Sequence, residues 1–168
     1  MWNLSLSQIY WKAVELMYQS LNGDRKVTSS VKNLKAFTRL AKLLKQNSSR
    51  LQEAYQLCKN ITSRLKTRGI KYPKLYAEMG DISVRLGNYR SAKVAIDTAL
   101  YQDPTNLVAI LASAKLNAEQ GNVSAGEEVL RTAMETLGLQ LPLVLEMASH
   151  LLQHHHGNML RLRETEYL

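Results

Sequence analysis

Residues 73–106 read PKLYAEMGDISVRLGNYRSAKVAIDTALYQDPTN and contain two apolar-periodic segments joined at Gly87-Asn88. The same pattern returns 34 residues later, where Gly121-Asn122 occupies the position of the joint. The small and large residues that recur with this period are Gly80 with Ala114, Ala92 with Gly126, Ile96 with Leu130, and Ala99 with Ala133. A fixed period of this length is typical of stacked helical hairpins, in which each hairpin contacts only its neighbours.

Helical spacing of apolar residues continues in both directions from this stretch and predicts about nine helices in one all-α domain, residues 1–168. The predicted ranges are 5–21, 30–46, 49–67, 73–86, 89–102, 106–120, 122–137, 141–154 and 158–168. Ser49 with Gln52 reads as a capping box, Gly69 suits a helix end, and Pro73 suits a helix start. Gly157-Asn158 comes two positions late for the period, so we expect a longer turn there.

The repeated stretch resembles the tetratricopeptide repeat. The resemblance lies in the order of large, small, glycine and aromatic positions, which are Tyr76, Met79, Gly80, Gly87, Tyr89, Ala92, Ile96, Ala99 and Pro104. It is best over residues 73–140. It implies a right-handed α-solenoid of antiparallel helix pairs, whose first helices line a concave groove for a peptide segment. Carried over to this chain, the groove residues are Lys74, Ala77, Glu78, Asp81, Arg85, Val108, Leu111, Ala112, Lys115, Glu119 and Glu146.

One subclass of that family clamps the terminal carboxylate of chaperone tails with lysine, asparagine and arginine side chains in the groove. At the corresponding positions this chain has Ala77, Asp81, Ala112, Pro142 and Glu146. The resemblance therefore implies a peptide groove without this clamp.

Charge is divided unequally along the chain. Residues 1–72 hold 14 Lys or Arg against 3 Asp or Glu, a net charge of +11, whereas residues 73–168 have a net charge of −3. The basic patch predicted from this half consists of Lys32, Lys35, Arg39, Lys42, Lys59 and Lys66. Such a patch favours an acidic protein segment or RNA as a partner, and a solvated helix face explains it equally well.

Candidate reactive residues are few. Glu146, His150 and His154 would share a helix face as metal ligands, but the histidine run His154–His156 reads equally well as a solvated turn. Cys58 is alone and lies on an apolar helix side, which predicts a buried thiol in a reducing compartment. With no nucleophile–base pair, phosphate-cradling loop or acidic dyad in the sequence, we expect neither an enzyme nor a bound metal or cofactor.

These observations predict a non-catalytic protein–protein interaction module, an adaptor or scaffold subunit of a larger complex. A nucleic-acid-binding accessory subunit that uses the basic half is the first alternative, and a small chaperone for a hydrophobic segment is the second. Since the chain has neither an apolar run of membrane-spanning length nor a recognisable secretory signal, we expect an intracellular protein, cytoplasmic or nuclear, without a membrane span.

Overall fold

The computed structural model of the chain describes Lys12 and residues 31–165, without the side chains of residues 31, 32 and 154–165. Residues 31–165 form seven α-helices and one short 3-10 turn, and no strand occurs in this range. The helices are α1 Val31–Gln46, α2 Leu51–Thr67, α3 Pro73–Arg85, α4 Tyr89–Gln102, α5 Leu107–Glu119, α6 Val123–Leu137 and α7 Leu141–Thr165. None of these helices combines the length and the apolarity that crossing a membrane requires.

Turn residues set the helix ends in the central part of the chain. Gly69, Gly87 and Gly121 adopt positive φ angles of 65°, 70° and 79° directly after a helix, a conformation that costs glycine little. The side chains of Asn88 and Asn106 accept hydrogen bonds from the backbone N–H groups in the first turns of α4 and α5. These caps satisfy donors that a helix start leaves unpaired, so the predicted ends of the helices in this region are confirmed to within a residue or two.

Two sequence-based boundaries are wrong. Ser49 does not cap α2: it lies in the 3-10 turn Ser48–Arg50, whose own start is capped when the Ser49 N–H donates to Asn47 Oδ1 at 3.0 Å. The expected break at Gly157 is also absent, because α7 is a single helix from Leu141 to Thr165. Eight of the nine predicted helices fall in the described range, where the structure has seven. The helix predicted over residues 5–21 lies outside it.

The helices pack as successive hairpins. Each helix contacts the next along the chain, and α1, α3, α5 and α7 also contact one another in that order. In the second hairpin α3 and α4 cross closely at Gly80, where an added Cβ would lie 2.6 Å from Ile96 Cγ1. Between the second and third hairpins, Ala77, Ala99 and Ala109 form a buried alanine contact. The small residues of the repeat therefore stand where helices approach most closely.

Cys58 is buried in the largest apolar cluster, together with Phe37, Leu40 and other residues of the first hairpin. Burial raises the pKa of its thiol far above the ordinary value. The predicted burial of this side chain is confirmed.

Candidate functional site

Two carboxylates of α3 are buried against α1. Glu78 and Asp81 are one helical turn apart and expose only 1% and 5% of their surface. The Nζ atom of Lys45, on α1, lies 2.7 Å from Glu78 Oε2 and 2.7 Å from Asp81 Oδ2. Lys42 Nζ and Arg85 Nη2 lie further out, each 3.5 Å from one of the carboxylates. A buried charge is tolerated only when it is paired, and Lys45 supplies the pairing for both.

This arrangement changes the accessibility of the groove residues expected from the sequence. Glu78 and Asp81 face α1, and Ala77 and Ala112 are buried between neighbouring helices. Those four side chains are therefore not open surface: α1 covers the two carboxylates, and neighbouring helices cover the two alanines, α4 and α5 in the case of Ala77. Leu111 is half-buried and packs against the apolar cluster around Ile110 and Leu130.

Four of the remaining groove residues meet in a cleft of about 710 Å³, which we name the C-terminal cleft. It lies between the ends of α3 and α5 and the middle of α7. Its lining residues are Val84, Arg85, Gly87, Tyr89, Lys115, Ala118, Glu119, Glu146, Ser149, His150 and Gln153. Lys115 Nζ is 3.7 Å from Glu146 Oε2. The cleft thus presents both cations and anions rather than a single sign of charge.

His150 forms part of the wall of this cleft and is fully buried. Its Nε2 atom lies 3.5 Å from Glu146 Oε1, and its ring packs on Gly126 so closely that an added Cβ there would be 2.6 Å from His150 Cε1. No described group makes a hydrogen bond to its Nδ1 atom. Glu146 and His150 do come together, as their spacing predicts, whereas the His154 side chain lies outside the described residues. The described part of the chain holds no set of three His, Cys, Asp or Glu side chains placed to bind a metal ion.

A smaller cleft of about 280 Å³, the N-terminal cleft, lies between α1, α3 and the start of α5. It contains two further groove residues, Lys74 and Val108, together with Lys42 and one edge of Glu78. The residues singled out by the resemblance are therefore divided among the two clefts, the buried ion pairs of α3 with α1, and the apolar core.

The predicted basic patch is distributed over two helices. Lys35 and Arg39 on α1 and Lys59 and Lys66 on α2 are exposed, and Lys59 Nζ lies 5.9 Å from the centre of the Tyr55 ring. Lys42 is about half-exposed and pairs with Glu78. The side chain of Lys32 lies outside the described residues. The patch is thus weaker on α1 than its sequence indicates, because part of its charge is neutralised by α3.

A third cleft was not expected from the sequence. It measures about 400 Å³ and lies where the end of α2 meets α3 and α4, with Lys66, Lys71, Tyr76 and Val94 in its lining. Tyr101 stands at its edge and exposes 84% of its surface. We name it the Tyr101 cleft. The sequence did contain an indication of this apolar surface, because Val94 and Tyr101 are seven residues apart, on the side of α4 away from its stripe of alanines.

Comparison of the chain with protein-family models, with curated proteins and with solved structures returns no match.

Proposed function

We propose that the chain is a non-catalytic protein-binding module, an adaptor or scaffold subunit built of tetratricopeptide-like hairpins. In this proposal a partner segment lies against α3, α5 and α7. The observation that carries it is the C-terminal cleft, in which three alternate helices place Arg85, Lys115, Glu119 and Glu146 around one concave surface. Arrays of helical hairpins bind extended segments on the concave surface that their successive first helices form.

The charges of the cleft indicate the kind of segment it binds. Cationic and anionic side chains both line it, so it fits a segment that carries charges of both signs. Each partly exposed ion pair contributes about 0–1 kcal/mol, so these charges contribute more to the specificity of binding than to its affinity. Binding strength then comes from the contact made along several helices.

A pair of matched variants tests this function. Lys115→Gln with Glu119→Gln removes one cation and one anion from the C-terminal cleft. Lys93→Gln with Asp97→Asn removes an exposed ion pair on α4, whose Nζ–Oδ2 distance is 3.6 Å, and neither residue lines a described cleft. Proteins captured by the tagged wild-type chain from its native extract should be lost with the first variant and retained with the second. Equal capture by all three proteins would contradict a binding role for this cleft.

The Tyr101 cleft favours a second candidate, the binding of single-stranded nucleic acid. An exposed tyrosine provides a stacking surface, and Lys66 and Lys71 beside it have no carboxylate within ion-pairing distance among the described residues. Base stacking on an aromatic ring contributes about 1–3 kcal/mol per base. Tyr101→Ala should therefore weaken binding of a single-stranded RNA at least fivefold, while Tyr101→Phe keeps it.

Nuclease treatment of the captured material distinguishes the two candidates. Protein capture that survives nuclease and depends on Lys115 and Glu119 supports the first function. Capture that disappears with nuclease and depends on Tyr101 supports the second.

A further inference from the structure

Helix α7 has two apolar sides, and other described residues pack against one of them. Leu143 is buried in the apolar cluster formed with α5 and α6, and His150 is buried on the same side of α7. On the other side, Leu141, Leu145 and Leu152 expose 68%, 60% and 62% of their surface. Val144, Ala148 and Leu151 lie between them and are exposed as well. We name these six residues the α7 stripe.

The α7 stripe carries no charge. Between Leu141 and Gln153 the helix has one ionisable carboxylate, Glu146, which points into the C-terminal cleft. At 100° per residue, the residues that line this cleft lie about 150° around the helix from the stripe. An uncharged apolar surface of this kind marks an interaction site and repels neither a neutral partner nor a copy of itself.

The spacing within the stripe suits pairing with a second copy of the same helix. Ala148 is its only small residue, Val144 and Leu145 precede it by four and three positions, and Leu151 and Leu152 follow it by three and four. Within four positions of Ala148 the pattern therefore reads the same in both directions, whereas Leu141 has His155 as its counterpart. When two such helices cross antiparallel at Ala148, the large residues before the crossing on one helix meet those after it on the other. A small residue at the crossing allows the close approach that interlocking side chains require.

The area of the stripe is the second consideration. A fully exposed apolar side chain offers on the order of 100 Å² of surface. The five large side chains of the stripe are between 41% and 68% exposed, so they provide on the order of 300 Å² of apolar surface per copy. Two copies, together with the exposed residues that flank the stripe, approach the roughly 1,000 Å² that a specific interface needs.

We propose that the α7 stripe pairs with the α7 stripe of a second copy of this chain, in an antiparallel twofold dimer that crosses at Ala148. Such an interface uses the same surface on both copies and closes on itself. Because the C-terminal cleft lies on the opposite side of α7, the dimer carries two open clefts. A partner with two matching segments would bind it with an avidity that one copy cannot provide.

Disulfide trapping tests the geometry of the crossing. Residues at a twofold crossing face their own copies, so Ala148→Cys should form a covalent dimer under mild oxidation, and buried Cys58 does not compete. Leu141→Cys is the matched control. Two copies of residue 141 would lie about 21 Å apart along antiparallel axes that rise 1.5 Å per residue, and a disulfide needs Cα atoms within about 7 Å. Equal trapping of both variants would overturn the proposed crossing.

Sedimentation equilibrium tests the dimer itself. The wild-type chain should have twice its 19.0 kDa mass at micromolar concentration. Leu145→Glu with Leu152→Glu should have the monomer mass with an unchanged helical circular-dichroism spectrum, because both side chains are exposed in a single copy. Leu139→Glu, an exposed position outside the stripe, should remain dimeric. A wild-type chain that stays monomeric, or a Leu145→Glu/Leu152→Glu variant that stays dimeric, would overturn the proposal.

Discussion

Replacing Lys45 with methionine should destabilise the protein far more than an ordinary lysine substitution. The change keeps the length of the side chain but leaves Glu78 and Asp81 buried without the ammonium group that lies 2.7 Å from each. Breaking a buried ion pair by removing one partner costs about 3–5 kcal/mol. Lys42 and Arg85 remain 3.5 Å from the carboxylates, so we expect the lower value, about 3 kcal/mol. For a chain of this size, that corresponds to a melting temperature lower by roughly 6–12 °C.

Denaturant unfolding followed by circular dichroism provides the assay, with Lys42→Met as the matched control. Lys42 is about half-exposed and makes one longer ion pair, so its loss should cost less than about 1 kcal/mol. The double change Glu78→Gln with Asp81→Asn should then recover part of the stability of the Lys45→Met protein, because neutral amides are cheaper to bury than unpaired carboxylates. If Lys45→Met and Lys42→Met cost the same, the reasoning from burial is refuted.

The pH dependence of the stability difference between wild type and Lys45→Met gives an independent check. The pKa of Lys45 lies above its ordinary value of 10.5, because burial lowers it but the charges of Asp81 and Glu78 outweigh burial. The ammonium group therefore contributes its full stabilisation below pH 10.5 and loses it as the pH rises through the higher folded-state pKa. The stability difference between wild type and Lys45→Met should be constant from neutral pH to about pH 9 and shrink above 10.5.

Three further predictions follow from close packing. Gly126→Ala should cost about 1–3 kcal/mol, since its Cβ would lie 2.6 Å from His150 Cε1 and 2.8 Å from the Ala114 carbonyl oxygen; an unchanged melting temperature would show that α6 and α7 can separate freely. Ala99→Leu should lower stability by about 1–3 kcal/mol, because this fully buried alanine has no room for three more carbons; a neutral result in a thermal melt would contradict the alanine contact. Cys58 should react with a thiol reagent only after the chain is unfolded, because the thiol is buried and burial raises its pKa; stoichiometric labelling under native conditions would show that the first hairpin opens.

The helix ends were predictable where a local residue determines them. Asn88 and Asn106 cap their helices with their own side chains, and Gly87 and Gly121 take the positive φ angles that a helix end favours. Gly157 did not end a helix, because α7 continues through it to Thr165. A glycine inside a helix costs only about 1 kcal/mol relative to alanine, so a Gly-Asn pair ends a helix only when the following segment packs back on the preceding one.

The candidate site was less predictable, because burial depends on which helices meet. The sequence places Glu78 and Asp81 on one side of α3, but it does not show that α1 lies over them with Lys45 aligned between them. The pairing of Lys42 is a second example, since its carboxylate partner lies 36 positions away in the sequence. Arg85, Lys115, Glu119 and Glu146 line one cleft, while their role in binding stays a prediction.

The ion pairs between α1 and α3 also determine how this chain could change in length. One period later, the positions of Glu78 and Asp81 are occupied by Ala112 and Lys115. The first helix of the third hairpin therefore has no carboxylate pair that requires a lysine from the second hairpin. An internal duplication of residues 73–106 would set a second copy of the two carboxylates against a helix that lacks Lys45, and both would be buried unpaired. The second hairpin is consequently not an interchangeable module, because its first helix requires a neighbour that supplies the ammonium group of Lys45. Lengthening the protein by copying this hairpin would require a redesign of the junction together with the added unit.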